Sequence, residues 1–224
     1  MIQTTRRTFI KKSLGALSGI WVLFGPIFSG AQWVWGRTKK IILPKGTKRE
    51  SLIGKNPADL DTRNLEITPL PEFRTMGLTE LEISPDSWRL NIDGQVRNPI
   101  EFKLEEITSL PSIERDVLLI CPGFFANHGH WKGVSIGPLL NKAGVMDHVT
   151  HVTIHGAAGA DNKRNRFPIG DILSGKVFLA YQVNEYDLPQ KHGYPLRVVA
   201  EDYYGFTWVK YVYRITAEKD DDTN

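Results

Sequence analysis

Four apolar residues in a row, Val117-Leu118-Leu119-Ile120, run into Cys121-Pro122-Gly123 near the middle of the chain. A short unbroken apolar run bounded by a turn signal is the pattern of a fully buried strand. The Pro-Gly pair stops it. The only cysteine of the protein stands at the strand's end, where the backbone turns out of the core. A side chain there is held rigidly from behind and can face a cavity in front. It has no partner for an intramolecular disulfide, so three readings are open: a metal ligand, a nucleophile or a core residue. The stretch alone favours the core residue, because free cysteine is among the most buried residue types.

The rest of the chain supplies room for a site. With 224 residues and 41% apolar content it can build one domain with a substantial core of its own. The net charge of +3 is unevenly spread. Residues 1–31 hold Arg6, Arg7, Lys11 and Lys12 and no acid, and the remainder carries 24 basic against 25 acidic residues. That balance gives no reason to expect nucleic-acid binding. Thr4-Thr5-Arg6-Arg7-Thr8-Phe9-Ile10-Lys11-Lys12 followed by an apolar run reads as a twin-arginine export signal. It implies export of a folded, cofactor-loaded protein by the twin-arginine machinery to the periplasm. No charge falls between Lys12 and Arg37, a run of 24 residues that is long enough to span a bilayer. Residues 1–36 are thus either a leader cleaved after Ser29-Gly30-Ala31 or an uncleaved inner-membrane anchor flanked by Trp33, Trp35 and basic residues.

After the leader the chain reads as follows. Residues 37–64 are a linker or extended arm, 65–217 the domain and 218–224 a polar tail. Trp88 to Ile92 alternates as a half-buried strand, with Asp93-Gly94 as its turn and Pro99 to Phe102 as the next short strand. Leu104, Ile107 and Leu110 have helical spacing. Phe124 to Lys132, with His128 and His130, is expected to be a loop. Ser135 starts a helix through Leu139 and Leu140, with Gly144 just past its end. Val149 to Ile154, Val177 to Tyr181, Leu196 to Val199 and Trp208 to Ile215 are predicted strands. Gly156 to Gly170 is expected to be a long loop with a basic cluster at Lys163, Arg164 and Arg166. Many short strands and few short helices give an α+β, mostly β single domain.

The order of these motifs resembles the molybdopterin-binding domain of the sulfite-oxidase-like family. The matching pieces are Trp88-Arg89-Leu90 with Asp93-Gly94-Gln95-Val96, Cys121 at its strand end, and Trp131-Lys132-Gly133-Val134 with Leu139-Leu140 and Ala143-Gly144. They continue with Leu179-Ala180-Tyr181 and Asn184, then His192-Gly193-Tyr194-Pro195-Leu196-Arg197, the most specific piece, and end with Tyr204-Gly205 and Trp208-Val209-Lys210. The chain departs from the pattern after Cys121, where Pro122-Gly123-Phe124-Phe125 replaces the commoner small residue, Gly and Asn.

The resemblance implies a molybdenum-molybdopterin cofactor and oxygen-atom transfer on a small sulfur-containing or oxyanion substrate. Electrons would be exchanged with a cytochrome or membrane haem protein. Cys121 is the implied molybdenum ligand, a soft thiolate suited to a metal already held by dithiolene sulfurs. His192 and Arg197 are implied pterin ligands, the guanidinium suiting the pterin's terminal phosphate. Trp208, Val209 and Lys210 follow as further cofactor contacts, and Phe73 and Arg74 align with early pterin contacts. Gly156 stands where the methionine-sulfoxide enzymes carry a threonine and belongs to the same set. Two other readings compete: a non-catalytic pterin- or partner-binding domain of the same fold, and a zinc or cysteine hydrolase using His151 and His155 with Cys121.

Overall fold

The computed structural model describes residues 39–157 and 163–220. The twin-arginine segment, the apolar run after it and the last four residues of the tail lie outside the described residues. From Lys40 onward the chain forms one compact unit.

In chain order, β1 (Ile41–Ile42) pairs in parallel with β2 (Leu60–Asp61), joined by 3-10 turns at Arg49–Leu52 and Pro57–Asp59. The domain proper then runs β3 (Leu90–Gly94), β4 (Ile100–Phe102), α1 (Leu104–Thr108), β5 (Ser112–Cys121) and β6 (Phe125–Ser135). It continues through α2 (Ile136–Ala143), β7 (His151–Gly156), β8 (Arg164–Pro168) and α3 (Ile169–Leu173). It closes with β9 (Val177–Val183), β10 (Tyr186–Asp187), β11 (Arg197–Ala200) and β12 (Val212–Glu218). One sheet has the order β10-β9-β6-β5, with β11 also paired to β9, and the other the order β4-β3-β12-β7-β8. Few short helices on two mostly antiparallel sheets make this the mostly β, α+β architecture that the motif order implied.

The apolar run at β5 is buried on both faces, and the reason lies far away in sequence. Val117, Leu119 and Cys121 belong to the main core. Leu118 and Ile120 pack instead with Leu43, Leu52, Leu60 and Leu65 from the segment before the domain, together with Ala126. Successive side chains of a strand point to opposite faces. Neither face can be wet, so the run is continuous rather than alternating.

Three expected local structures differ. The segment from Phe124 to Lys132 is not a loop. Phe125 onward is an eleven-residue strand in register with β5, Cys121 opposite Phe125 and Val117 opposite Gly129. Its polar residues are compatible with burial because neighbours bond most of their polar atoms, His128 Nε2 being left without a partner among the described residues. Asn127 Nδ2 donates to the Arg74 carbonyl at 2.8 Å, and the His128 amide donates to Thr68 Oγ1 at 2.9 Å. The connecting turn uses Pro122-Gly123, with Gly123 at φ 80° and the Phe124 amide donating to the Cys121 carbonyl at 3.0 Å; only glycine adopts that φ without strain. The loop expected from Gly156 to Gly170 contains β8, an edge strand whose Arg166 pairs with Glu218 and Asp220. The strand expected from Trp208 begins only at Val212. Residues 208–211 cross the end of β11 instead, the Val198 amide donating to the Val209 carbonyl at 2.8 Å, and Tyr211 takes φ 55°.

Leu52, 2% exposed, tests whether the segment before the domain is structural. Leu52→Ala is expected to cost about 2–4 kcal/mol in urea unfolding. A loss within experimental error would show that β5 does not depend on that cover.

Candidate functional site

Cys121 ends β5 with its side chain at one wall of a cavity of about 510 Å³. Arg74, Arg197, Trp208 and Lys210 line the same cavity, so five of the nine residues assigned to the site from sequence converge on it. The other four are not on its lining but contact or adjoin residues that are. Phe73 packs edge-on to the His192 ring at 5.9 Å and against Trp131 at 5.9 Å. His192 is 1% exposed, and its carbonyl accepts from Arg197 Nη1 at 3.0 Å. Val209 is wholly buried. Gly156 is packed so tightly that an added Cβ would stand 2.4 Å from the Lys210 carbonyl oxygen, so it sets the position of the Lys210 backbone.

The local chain explains these placements. Asn127 on β6 clamps the segment bearing Arg74, its Oδ1 accepting the Arg74 amide at 3.2 Å while its Nδ2 bonds the Arg74 carbonyl. The bend at Tyr211 turns residues 208–211 away from β12 and toward the cavity. Lys210 Nζ then donates to Thr75 Oγ1 at 3.2 Å, to the Lys191 carbonyl at 3.1 Å and to the Leu78 carbonyl. The Tyr211 hydroxyl also donates to Leu78, at 3.3 Å. Together they pin residues 75–78 along the cavity's rim.

Charge is the cavity's defining property. Arg74, Lys163, Arg197 and Lys210 line it, and none of its described lining residues is acidic. Arg197 is 5% exposed and lies over the rings of Trp131 at 5.0 Å and Trp208 at 5.5 Å. Among the described residues its Nε has no hydrogen-bond partner, and burial lowers its pKa to about 10. Burial, with Arg197 nearby, lowers Lys210 to about 8. A buried cation without a carboxylate is costly unless an anion completes the site. Cys121 is 9% exposed; burial pushes its thiol up, and Lys163 pulls it the other way.

Several expected residues lie elsewhere. His128 faces the segment before the domain, with Nδ1 3.2 Å from the Glu66 carbonyl. His130 pairs with Asp116 at 2.7 Å on the sheet surface. Neither lines the cavity. Of the basic cluster, Lys163 lines it and Arg164 and Arg166 sit on β8. His155 bonds Thr216 Oγ1 at 3.1 Å and His151 lies 3.3 Å from Asp220, both on the second sheet. Among the described residues no group of three His, Cys, Asp or Glu side chains could hold a metal, which leaves the zinc reading without a ligand set. Sequence reasoning missed Trp131 as a cradle for Arg197, and also Tyr211. The one signal for either is Trp131's place in the motif after Cys121, which says nothing of what its ring touches.

His192 gives the site a pH signature. Burial, then the charges of Arg197, Lys191 and Lys210, lower its pKa from 6.5 to about 3. The unfolded chain therefore takes up this proton before the folded one does. The stability it confers is complete above pH 6.5 and is lost as pH falls toward 3. His192→Gln is expected to flatten the fall in melting temperature across that window. His128, also lowered by burial, contributes equally to both proteins and cancels. Equal slopes for the two proteins would contradict a neutral, buried His192.

Comparison with known proteins agrees with the geometry. Residues 76–224 match the model of the oxidoreductase molybdopterin binding domain. An uncharacterized oxidoreductase, YuiH, from Bacillus subtilis is 28% identical over 134 residues, covering 59% of this chain and 66% of that protein. Human mitochondrial sulfite oxidase is 26% identical over 198 residues, covering 74% of this chain and 35% of its own. The catalytic subunit MsrP, a protein-methionine-sulfoxide reductase of Gluconobacter oxydans, is 24% identical, covering 72% of this chain and 52% of its own. This chain thus spans between about a third and two thirds of the length of these relatives. Among solved structures, the sulfane dehydrogenase SoxCD of Paracoccus pantotrophus superimposes with a TM-score of 0.59 at 26% identity, over 62% of this chain and 40% of that one. A cysteine at a strand end, a buried arginine with no acid beside it and a family match over two thirds of the sequence lead to one conclusion: the chain belongs to the oxidoreductase molybdopterin binding domain family, whose cofactor is molybdenum-molybdopterin.

Proposed function

We propose that this protein is a molybdenum-dependent oxidoreductase that moves an oxygen atom to or from a small sulfur-containing or oxyanion substrate, exchanging electrons with a haem protein. The observation that carries the reading is Arg197, a buried guanidinium held in place with its Nε unsatisfied beside Cys121's cavity. Relatives named for sulfite oxidation and for methionine-sulfoxide reduction support the substrate class. Residues 1–36 complete the proposal as a twin-arginine leader that delivers the folded protein to the periplasm or keeps it at the inner membrane.

The residues present fit the cofactor. Arg197, on the cavity lining, has a buried Nε with no partner among the described residues, as expected of a side chain that would take a polar ligand. Arg197 and Lys210 would hold the pterin's phosphate end, a guanidinium offering two parallel charge-assisted bonds and an ammonium a point charge. Cys121 would hold the metal. When bound, the group supplies two-electron oxygen-atom transfer. The protein's own part is to bind, orient and exclude water. Burial raises the pKa of the Cys121 thiol, and a bound metal would favour its thiolate form. Leu119, Phe125 and Trp208 keep the thiolate's surroundings apolar. Arg74 and Lys163 leave two further cations on the lining to attract an anionic substrate.

Cys121→Ser replaces the soft donor with a hard one and keeps the volume close. It is expected to abolish turnover of sulfite and sulfoxide substrates while the melting temperature stays within a few degrees of the wild type. Turnover by folded Cys121→Ser protein would remove the role assigned to the thiolate.

A further inference from the structure

The segment that covers the back of β5 has an outer face of its own, separate from the cavity. Residues 40–55 carry Lys40, Lys45, Lys48, Arg49 and Lys55 against one acid, Glu50. The remainder of residues 32–224 carries 19 basic against 24 acidic side chains, so a basic strip lies on an otherwise acidic body. Leu43 and Leu52 point inward at 6% and 2% exposed and fix the strip to the domain. Between them and around them, Lys45, Lys48 and Lys55 are exposed and form no ion pair among the described residues, while Lys40 and Arg49 pair with Asp202 and Glu72. Asp61, on the strand beside β1, is engaged by Arg63 at 2.5 Å and also feels the charge of Lys40, so the strip's net charge rests on Lys45, Lys48 and Lys55.

Two aliphatic side chains accompany the lysines. Ile41 and Ile42, adjacent on β1, are 63% and 50% exposed. Consecutive strand residues normally divide between a buried and a wet face. Here both are wet, because β1 is a two-residue strand whose inward contact is made by Leu43. Exposed isoleucines flanked by unpaired lysines match a surface that meets both charge and hydrocarbon. An anionic lipid layer offers both, headgroup phosphates for the lysines and an acyl boundary for the isoleucines. A nucleic acid offers only the first, and no aromatic side chain stands in residues 40–55 to stack on bases.

We propose that residues 40–55 are a docking surface for an anionic lipid bilayer, which seats the folded domain on the membrane independently of residues 1–36. The acidic remainder of the body is repelled by the same surface and orients the strip toward it.

The test uses the full chain in vesicle flotation, with phosphatidylcholine vesicles and with phosphatidylcholine vesicles containing phosphatidylglycerol. The comparison is between the wild type and a Lys45→Glu, Lys48→Glu, Lys55→Glu variant. Residues 1–36 are the same in both proteins, so their contribution cancels. All three lysines are exposed, and unchanged melting temperatures confirm that the variant is folded. The wild type is expected to prefer the anionic vesicles, with a preference that salt weakens, and the variant to lose on the order of tenfold or more of that preference. An Ile41→Ser, Ile42→Ser variant is expected to lose the part of the binding that survives high salt. Equal anionic preference in wild type and lysine variant would overturn the proposal. So would duplex DNA binding that the lysine variant abolishes while vesicle binding is unchanged, which would reassign the strip to nucleic acid.

Discussion

The site depends on a positive charge placed where protein alone cannot satisfy it. Arg197 starts β11, a strand whose four residues are all buried, so its guanidinium is withdrawn from bulk solvent and opens only onto the cavity. The fold gives it one carbonyl, that of His192, and two aromatic faces, those of Trp131 and Trp208. Among the described residues it gives it no carboxylate. Burying an ion costs on the order of several kcal/mol even after relaxation. The fold carries that cost because the charge is directed at a cavity, and an anion in the cavity offsets it. The other three cations of the lining are arranged around the same space.

Cys121 is positioned by a different balance. A strand buried on one face would leave the other to solvent and its end free to shift. The leucines of residues 43–65 cover the second face of β5, and the hairpin with β6 closes in register up to Cys121 itself. The thiol is therefore fixed from both sides by packing. Close packing holds such a side chain far more firmly than a loop could. The same leucines present a basic, partly apolar strip on their outer side, so one segment serves the core on its inner face and offers a surface on its outer one.

Much of this was legible in the residues. The apolar run into Pro122-Gly123 marks β5, and the helix from Ser135 ends at Gly144, which takes φ 70°. Three elements were not legible, each for a physical reason. The β6 strand carries Asn127, His128 and His130, and its burial depends on partners at positions 66–74, 116 and 184 that no local pattern reveals. The β8 strand is an edge strand, and charged residues on an edge look like a loop. Residues 208–211 alternate like a strand but are bent by Tyr211 at positive φ. At the site, Cys121, Arg197 and Lys210 were identified through the resemblance to the family. Spacing alone assigns none of them, and the cradle of Trp131 joins Arg197 across 66 positions of sequence. Which member of the basic cluster reaches the cavity followed from register: Arg164 opposite His155 begins the strand and leaves Lys163 before it.

The most direct measurement is the molybdenum and pterin content of the full chain purified from a host that makes the cofactor, by elemental analysis and by fluorescence of the released, oxidised pterin. A cavity whose buried guanidinium awaits a phosphate and whose thiol awaits a soft metal predicts about one molybdenum and one pterin per chain. Folded protein carrying neither, or carrying zinc without molybdenum, would contradict the account.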